Sequence, residues 1–124
     1  MSEQTSEVAY SPVYELAYWG GIRGLLHPVI LLCEYLSVKY ELKEFTSRED
    51  WFELDKPLLA MLTPFPNLPY LKKGDLVVTE SQAIIAFICY ESGRFDLLGK
   101  EPFNTVQIIQ IQVTYLILSF TLKY

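Results

Sequence analysis

The run Asn67-Leu68-Pro69-Tyr70-Leu71, followed after a short turn by Thr79-Glu80-Ser81-Gln82-Ala83-Ile84, constrains this chain more than any other feature. Proline has no N–H for a sheet ladder, so Pro69 belongs at the start or the edge of a strand. A cis Leu68–Pro69 bond bends the chain there and leaves the N–H and C=O of Leu68 unpaired. The second run opens a helix, whose first N–H groups also lack partners. Together they offer a small molecule backbone hydrogen bonds on one side and a helix N-terminus for a carboxylate on the other.

The elements around this pair follow a definite order. Val13 to Tyr18 reads as a first strand, closed by Gly20 and Gly21. A helix over roughly 24–36 follows, with Pro28 tolerable only in its first turn. Its apolar residues cover more than one face, which predicts deep burial. Val38 to Phe45 alternates as a strand with one wet face, Lys39, Glu41 and Lys43 being opposed to Val38, Tyr40 and Leu42. Thr46 or Ser47 caps a short helix with Glu49 and Asp50 in its first turn. Pro69–Lys72 and Leu76–Thr79 make a hairpin around Lys73-Gly74-Asp75. Thr79-x-x-Gln82 has capping-box spacing for a helix that ends near Gly93. The sum is βαβ-α-ββα, an α/β class with a mixed four-stranded sheet and helices on both faces, the thioredoxin-like arrangement.

At 124 residues the chain makes one compact domain rather than two. A net charge of −5 with no basic block argues against nucleic acid as a partner. Cys33 and Cys89 lie in apolar runs without a Cys-x-x-Cys, which suggests buried free thiols in a reducing compartment, with a disulfide left open until a distance is known. Residues 1–11 read as a loose acidic tail without the basic start and apolar run of a signal peptide. A soluble cytoplasmic protein is expected. His27 is the single histidine, so no metal cluster is expected.

Tyr18-Trp19, Ile22-Arg23-Gly24-Leu25 and Phe65-Pro66-Asn67-Leu68-Pro69-Tyr70-Leu71 occur in an order that resembles the cytosolic glutathione transferases, the mu class in particular. The resemblance runs from about Val13 to about Gln112 and implies a glutathione site. Tyr18 would be the catalytic residue, its hydroxyl donating to the sulfur of glutathione. Only a thiolate is a good nucleophile, and a donor aimed at sulfur stabilises it. Glu80 would take the ammonium group of the γ-glutamyl end and Ser81 its carboxylate. The Leu68 backbone would pair with the cysteinyl unit like an added rung of sheet, with Pro69 fixing the bend and Asn67 alongside. Arg48, Trp51 and Lys56 would hold the glycine carboxylate, and Trp19 and Leu25 complete the lining. Phe65 would insert into the partner subunit of a homodimer. Each position also has a plain reading on its own: a strand-end tyrosine, a helix cap, an edge-strand proline, a solvated charged face.

Four departures accompany the resemblance. Gly20-Gly21 stands for a single residue, Glu80 for the usual glutamine, Ile30 for an arginine, and Lys56 falls one residue late. The family's second, all-helical domain supplies most of the electrophile pocket, and only its first helix begins here. The implied organisation is a tail at 1–11, a thioredoxin-like glutathione-binding domain at 12–98 and the start of an incomplete helical domain at 99–124. The expected function is conjugation of glutathione to electrophilic small molecules, weak or absent in this short form.

Residues 102–122 carry no charge and two apolar stripes, a helix that wants cover on most sides. Its length reaches the minimum for a bilayer, but Gln107, Gln110 and Gln112 would each need a partner in lipid. Two other readings therefore stand beside the enzyme: a non-catalytic thioredoxin-like binding module that associates through Phe65 and this helix, and membrane attachment through residues 104–122.

Overall fold

The computed structural model describes residues 13–122, so the expected tail at 1–11 lies outside the described residues. Four strands form one sheet: β1 (Tyr14–Trp19), β2 (Tyr40–Phe45), β3 (Tyr70–Lys73) and β4 (Leu76–Thr79). Their spatial order is β2-β1-β3-β4. β1 runs parallel to β2 and antiparallel to β3, and β3 is antiparallel to β4. Among the described residues the helices are α1 (His27–Leu36), α2 (Lys56–Leu59), α3 (Ser81–Glu91) and α4 (Pro102–Leu122). A 3-10 turn at Gly24–Leu26 leads into α1, and a π-helical segment at Asp50–Asp55 leads into α2. The expected βαβ-α-ββα order is present, as a thioredoxin-like mixed sheet.

Strand pleating sends successive side chains to opposite faces. On one face of β1, Tyr14 meets Phe87 of α3, and α1 packs against α3. On the other face, Tyr70 is the register partner of Ala17 and Phe45 that of Trp19, and both rings lie against Trp51 of the π segment. The sheet is therefore covered on both sides. Leu16, Val29, Cys33, Leu71, Ile84 and Ile88 form its fully buried centre. Both cysteines are free and buried.

Three local expectations need correction. Of α1, only Val29 and Cys33 are buried, and Leu31 and Tyr35 are exposed. The helix lies against the body along one stripe, because no second layer among the described residues covers its outer side. β2 is an edge strand, so Leu42, on its supposed dry face, stays exposed. Alternation names a face but does not supply a cover for it. The Thr79 capping box does not form. Thr79 is spent in β4 opposite Tyr70, the N-cap of α3 is Glu80, and no side chain caps the helix. The short helix after β2 starts as expected, with Ser47 Oγ accepting the Asp50 N–H at 3.1 Å.

Candidate functional site

Register gathers the expected residues at one end of the sheet. Ala17 lies opposite Tyr70, and Tyr70 opposite Thr79. Tyr18 follows Ala17, Pro69 precedes Tyr70 and Glu80 follows Thr79, so all three lie just past the last paired rung at the same end of the sheet. The carboxyl end of β1, the bend before β3 and the start of α3 thus form one row.

Tyr18 is 8 % exposed. Its ring lies on Gly24, where a Cβ would come within 2.5 Å of the phenol oxygen. Glycine is required there twice over, by this contact and by a φ of +44°. The Leu25 N–H donates to the Tyr18 oxygen at 3.3 Å. Among the described residues no acceptor takes the Tyr18 proton, so it remains available to donate outward.

The Leu68–Pro69 peptide is cis, as the sequence suggested. No backbone bond among the described residues uses the Leu68 N–H or C=O. Asn67 Nδ2 donates to Glu80 Oε2 at 3.0 Å, which ties the bend to the helix start. Glu80 has φ 73° and ψ 122°, a conformation that an L side chain adopts only when its surroundings hold it there. With no side-chain cap, the first-turn N–H groups of α3, beginning at Ser81, stay free to bind an anion.

Beyond β2 the picture is more mixed. Trp51 is 2 % exposed and stacks on Tyr70 with centroids 6.2 Å apart, so it serves the core. The Arg48 guanidinium and the Lys56 ammonium both lie over Phe52, at 4.7 and 5.4 Å from its centroid. Phe52 in turn contacts Trp19, at 6.1 Å. Arg48, Lys56 and Trp19 are brought together by an aromatic that sequence reading passed over, although Phe52 stands four residues from each cation. Phe65 is 71 % exposed.

A second overlooked residue comes from α4. The Tyr115 hydroxyl donates to the Gly24 carbonyl at 2.8 Å. Tyr115 shares an exposed face of α4 with Gln107, Gln110, Ile111, Thr114 and Leu118. Neither cysteine competes as a nucleophile. Burial, with Glu34 adding to it, pushes the Cys33 thiol up to about 11, and burial raises Cys89 as well. No group of three or more His, Cys, Asp or Glu suited to a metal occurs among the described residues.

The family profile described as "Glutathione S-transferase, N-terminal domain" matches residues 14–89. The chain belongs to the glutathione S-transferase family. A glutathione S-transferase of Mesocricetus auratus is 37 % identical over 100 residues, which cover 75 % of this chain and 43 % of that protein. The class-mu 26 kDa glutathione S-transferase of Schistosoma japonicum is 35 % identical over 102 residues, 82 % of this chain and 44 % of its own. Among solved structures, a nematode glutathione S-transferase of C. elegans superposes with a TM-score of 0.65 at 29 % identity, covering 87 % of this chain and 48 % of the other. The resemblance to mu-class glutathione S-transferases read from Tyr18-Trp19 and Asn67-Leu68-Pro69 therefore holds. The chain spans less than half the length of these relatives.

Proposed function

We propose that the chain carries the glutathione half-site of a transferase that conjugates reduced glutathione to electrophilic small molecules. The observation that carries this reading is the Tyr18 hydroxyl. It is held on Gly24, accepts the Leu25 N–H and keeps its own proton for an outside acceptor. A glutathione sulfur set before it would receive that proton as a hydrogen bond. The bond favours the thiolate over the thiol, and the thiol's own proton leaves to solvent. The thiolate then forms a C–S bond to the electrophile, whose leaving group departs with the displaced electron pair.

The rest of the row supports the same ligand. The free Leu68 N–H and C=O suit the cysteinyl unit as one added rung. The uncapped start of α3 suits the γ-glutamyl carboxylate at Ser81, and Glu80 suits its ammonium group. Arg48, Lys56 and the indole N–H of Trp51 suit the glycine carboxylate, and the stacked Trp51 ring also fixes the segment that presents the two cations. Phe65, exposed on the surface, is offered as the anchor of a homodimer, and the cytosol as the compartment.

Calorimetric titration of the chain with glutathione tests the reading. Ser81→Ala is expected to weaken binding by about 1 kcal/mol, near fivefold, through loss of one charge-assisted bond. Tyr18→Phe is expected to leave the affinity nearly unchanged and to abolish any conjugation of a chloro-nitrobenzene electrophile. No heat with glutathione, or conjugation that survives Tyr18→Phe, would contradict the assignment.

A further inference from the structure

The two hydrogen bonds at the 3-10 turn use one peptide group. Tyr115 donates to the C=O of Gly24 at 2.8 Å. The N–H at the other end of that same Gly24–Leu25 peptide donates to Tyr18 at 3.3 Å. Resonance links the carbonyl oxygen and the nitrogen of a peptide. A donor on the oxygen draws electron density from the nitrogen and makes the N–H a stronger donor, as in any chain of hydrogen bonds. Tyr115 and Tyr18 stand 97 residues apart, yet a single amide separates their hydroxyls.

We infer that Tyr115 is a positioning residue for the Tyr18 hydroxyl, acting through the Gly24–Leu25 peptide. Its bond fixes the plane of that amide against the Tyr18 ring, where the contact at Gly24 leaves no slack. The amide N–H then occupies a lone pair of the Tyr18 oxygen and turns its proton outward. The arrangement also makes the site depend on α4. That helix touches the described body at the Gly24–Leu26 turn and at the 3-10 turn Phe95–Leu98, where Thr105 Oγ1 donates to the Leu98 carbonyl at 2.9 Å. A shift of α4 along its axis would be felt at Tyr18 before any substrate is touched. The inference rests on the functional reading only for its consequence at sulfur; the relay itself is a property of the free chain.

The test compares the chain with Tyr115→Phe, which keeps the ring and removes the donor. In the free protein, amide exchange at Leu25 is expected to quicken severalfold, and the Tyr18 ring-carbon NMR signals are expected to move. With glutathione bound, the pH midpoint of thiolate formation is expected to rise by about half a unit, a roughly threefold loss of thiolate near neutrality, while glutathione affinity stays within about twofold. Tyr90→Phe, an exposed tyrosine on α3, is expected to change none of these. Unchanged Leu25 exchange or an unmoved Tyr18 signal overturns the inference, as does a lower melting temperature with the midpoint unmoved, which marks a mere brace. If the unaltered chain ionises no glutathione, the functional reading falls, and the free-protein signals alone decide the relay.

Discussion

The Tyr18 phenol is useful because of what crowds it. Gly24 lies so close to its oxygen that even a methyl group is excluded, and the backbone there has a positive φ. Gly24→Ala is therefore predicted to push the Tyr18 ring aside. A displacement near 1 Å in a reacting group costs about 100-fold in rate. The expected outcome is a fall of that order in kcat/KM for conjugation, with far-ultraviolet circular dichroism unchanged; an unaltered rate would show that the contact is not felt. The sequence made Tyr18, Leu68, Pro69, Glu80 and Ser81 legible because each belongs to a short motif whose chemistry is local. The contacts of Phe52, and those of Tyr115 beyond its place in an apolar stripe, are not legible for the opposite reason. Phe52 matters through two cations a helical turn away, and Tyr115 through a carbonyl 91 positions distant.

The sheet is tied to its surroundings by two tyrosines with unusually reluctant protons. Tyr14 of β1 donates to Glu91 of α3, which also holds Lys73 at 2.8 Å. Tyr70 of β3 donates to Asp55 at 2.9 Å and lies 3.1 Å from Glu15. Burial first, and then these carboxylates, hold both phenols above their ordinary value of 10.0. The folded chain keeps these protons more tightly than the unfolded chain does. Their contribution is therefore full below pH 10 and is lost as pH rises through the folded values. Urea midpoints are predicted to fall steeply above that pH, and Tyr70→Phe is predicted to flatten the fall while costing about 1 kcal/mol at neutrality. A fall of the same slope in Tyr70→Phe would remove Tyr70 from the explanation. Element order was legible here because strand alternation, prolines and the hairpin turn agree with one another. Cover was less legible: β2 reads as half-buried, yet an edge position leaves Leu42 in water. The capping box at Thr79 had the right spacing but lost its first residue to the ladder with Tyr70.

At the scale of the whole molecule, one end of a small sheet gathers Tyr18, the cis bend at Leu68–Pro69 and the start of α3, and an apolar helix touches the body at the turn beside Tyr18. α4 is long and apolar enough to cross a membrane by length and composition, and none of that stretch is buried. Among the described residues its side-chain hydrogen bonds to the body come from Thr105 and Tyr115, both donating to backbone carbonyls. The role proposed for Tyr18 is to ionise the glutathione sulfur. It is tested most directly by titrating the ultraviolet thiolate band of glutathione against pH in the presence of saturating protein. The account predicts a midpoint at least about one unit below the roughly 8.5 of a free thiol, restored to that value in Tyr18→Phe. A midpoint equal to that of free glutathione, or one that Tyr18→Phe does not move, would contradict it.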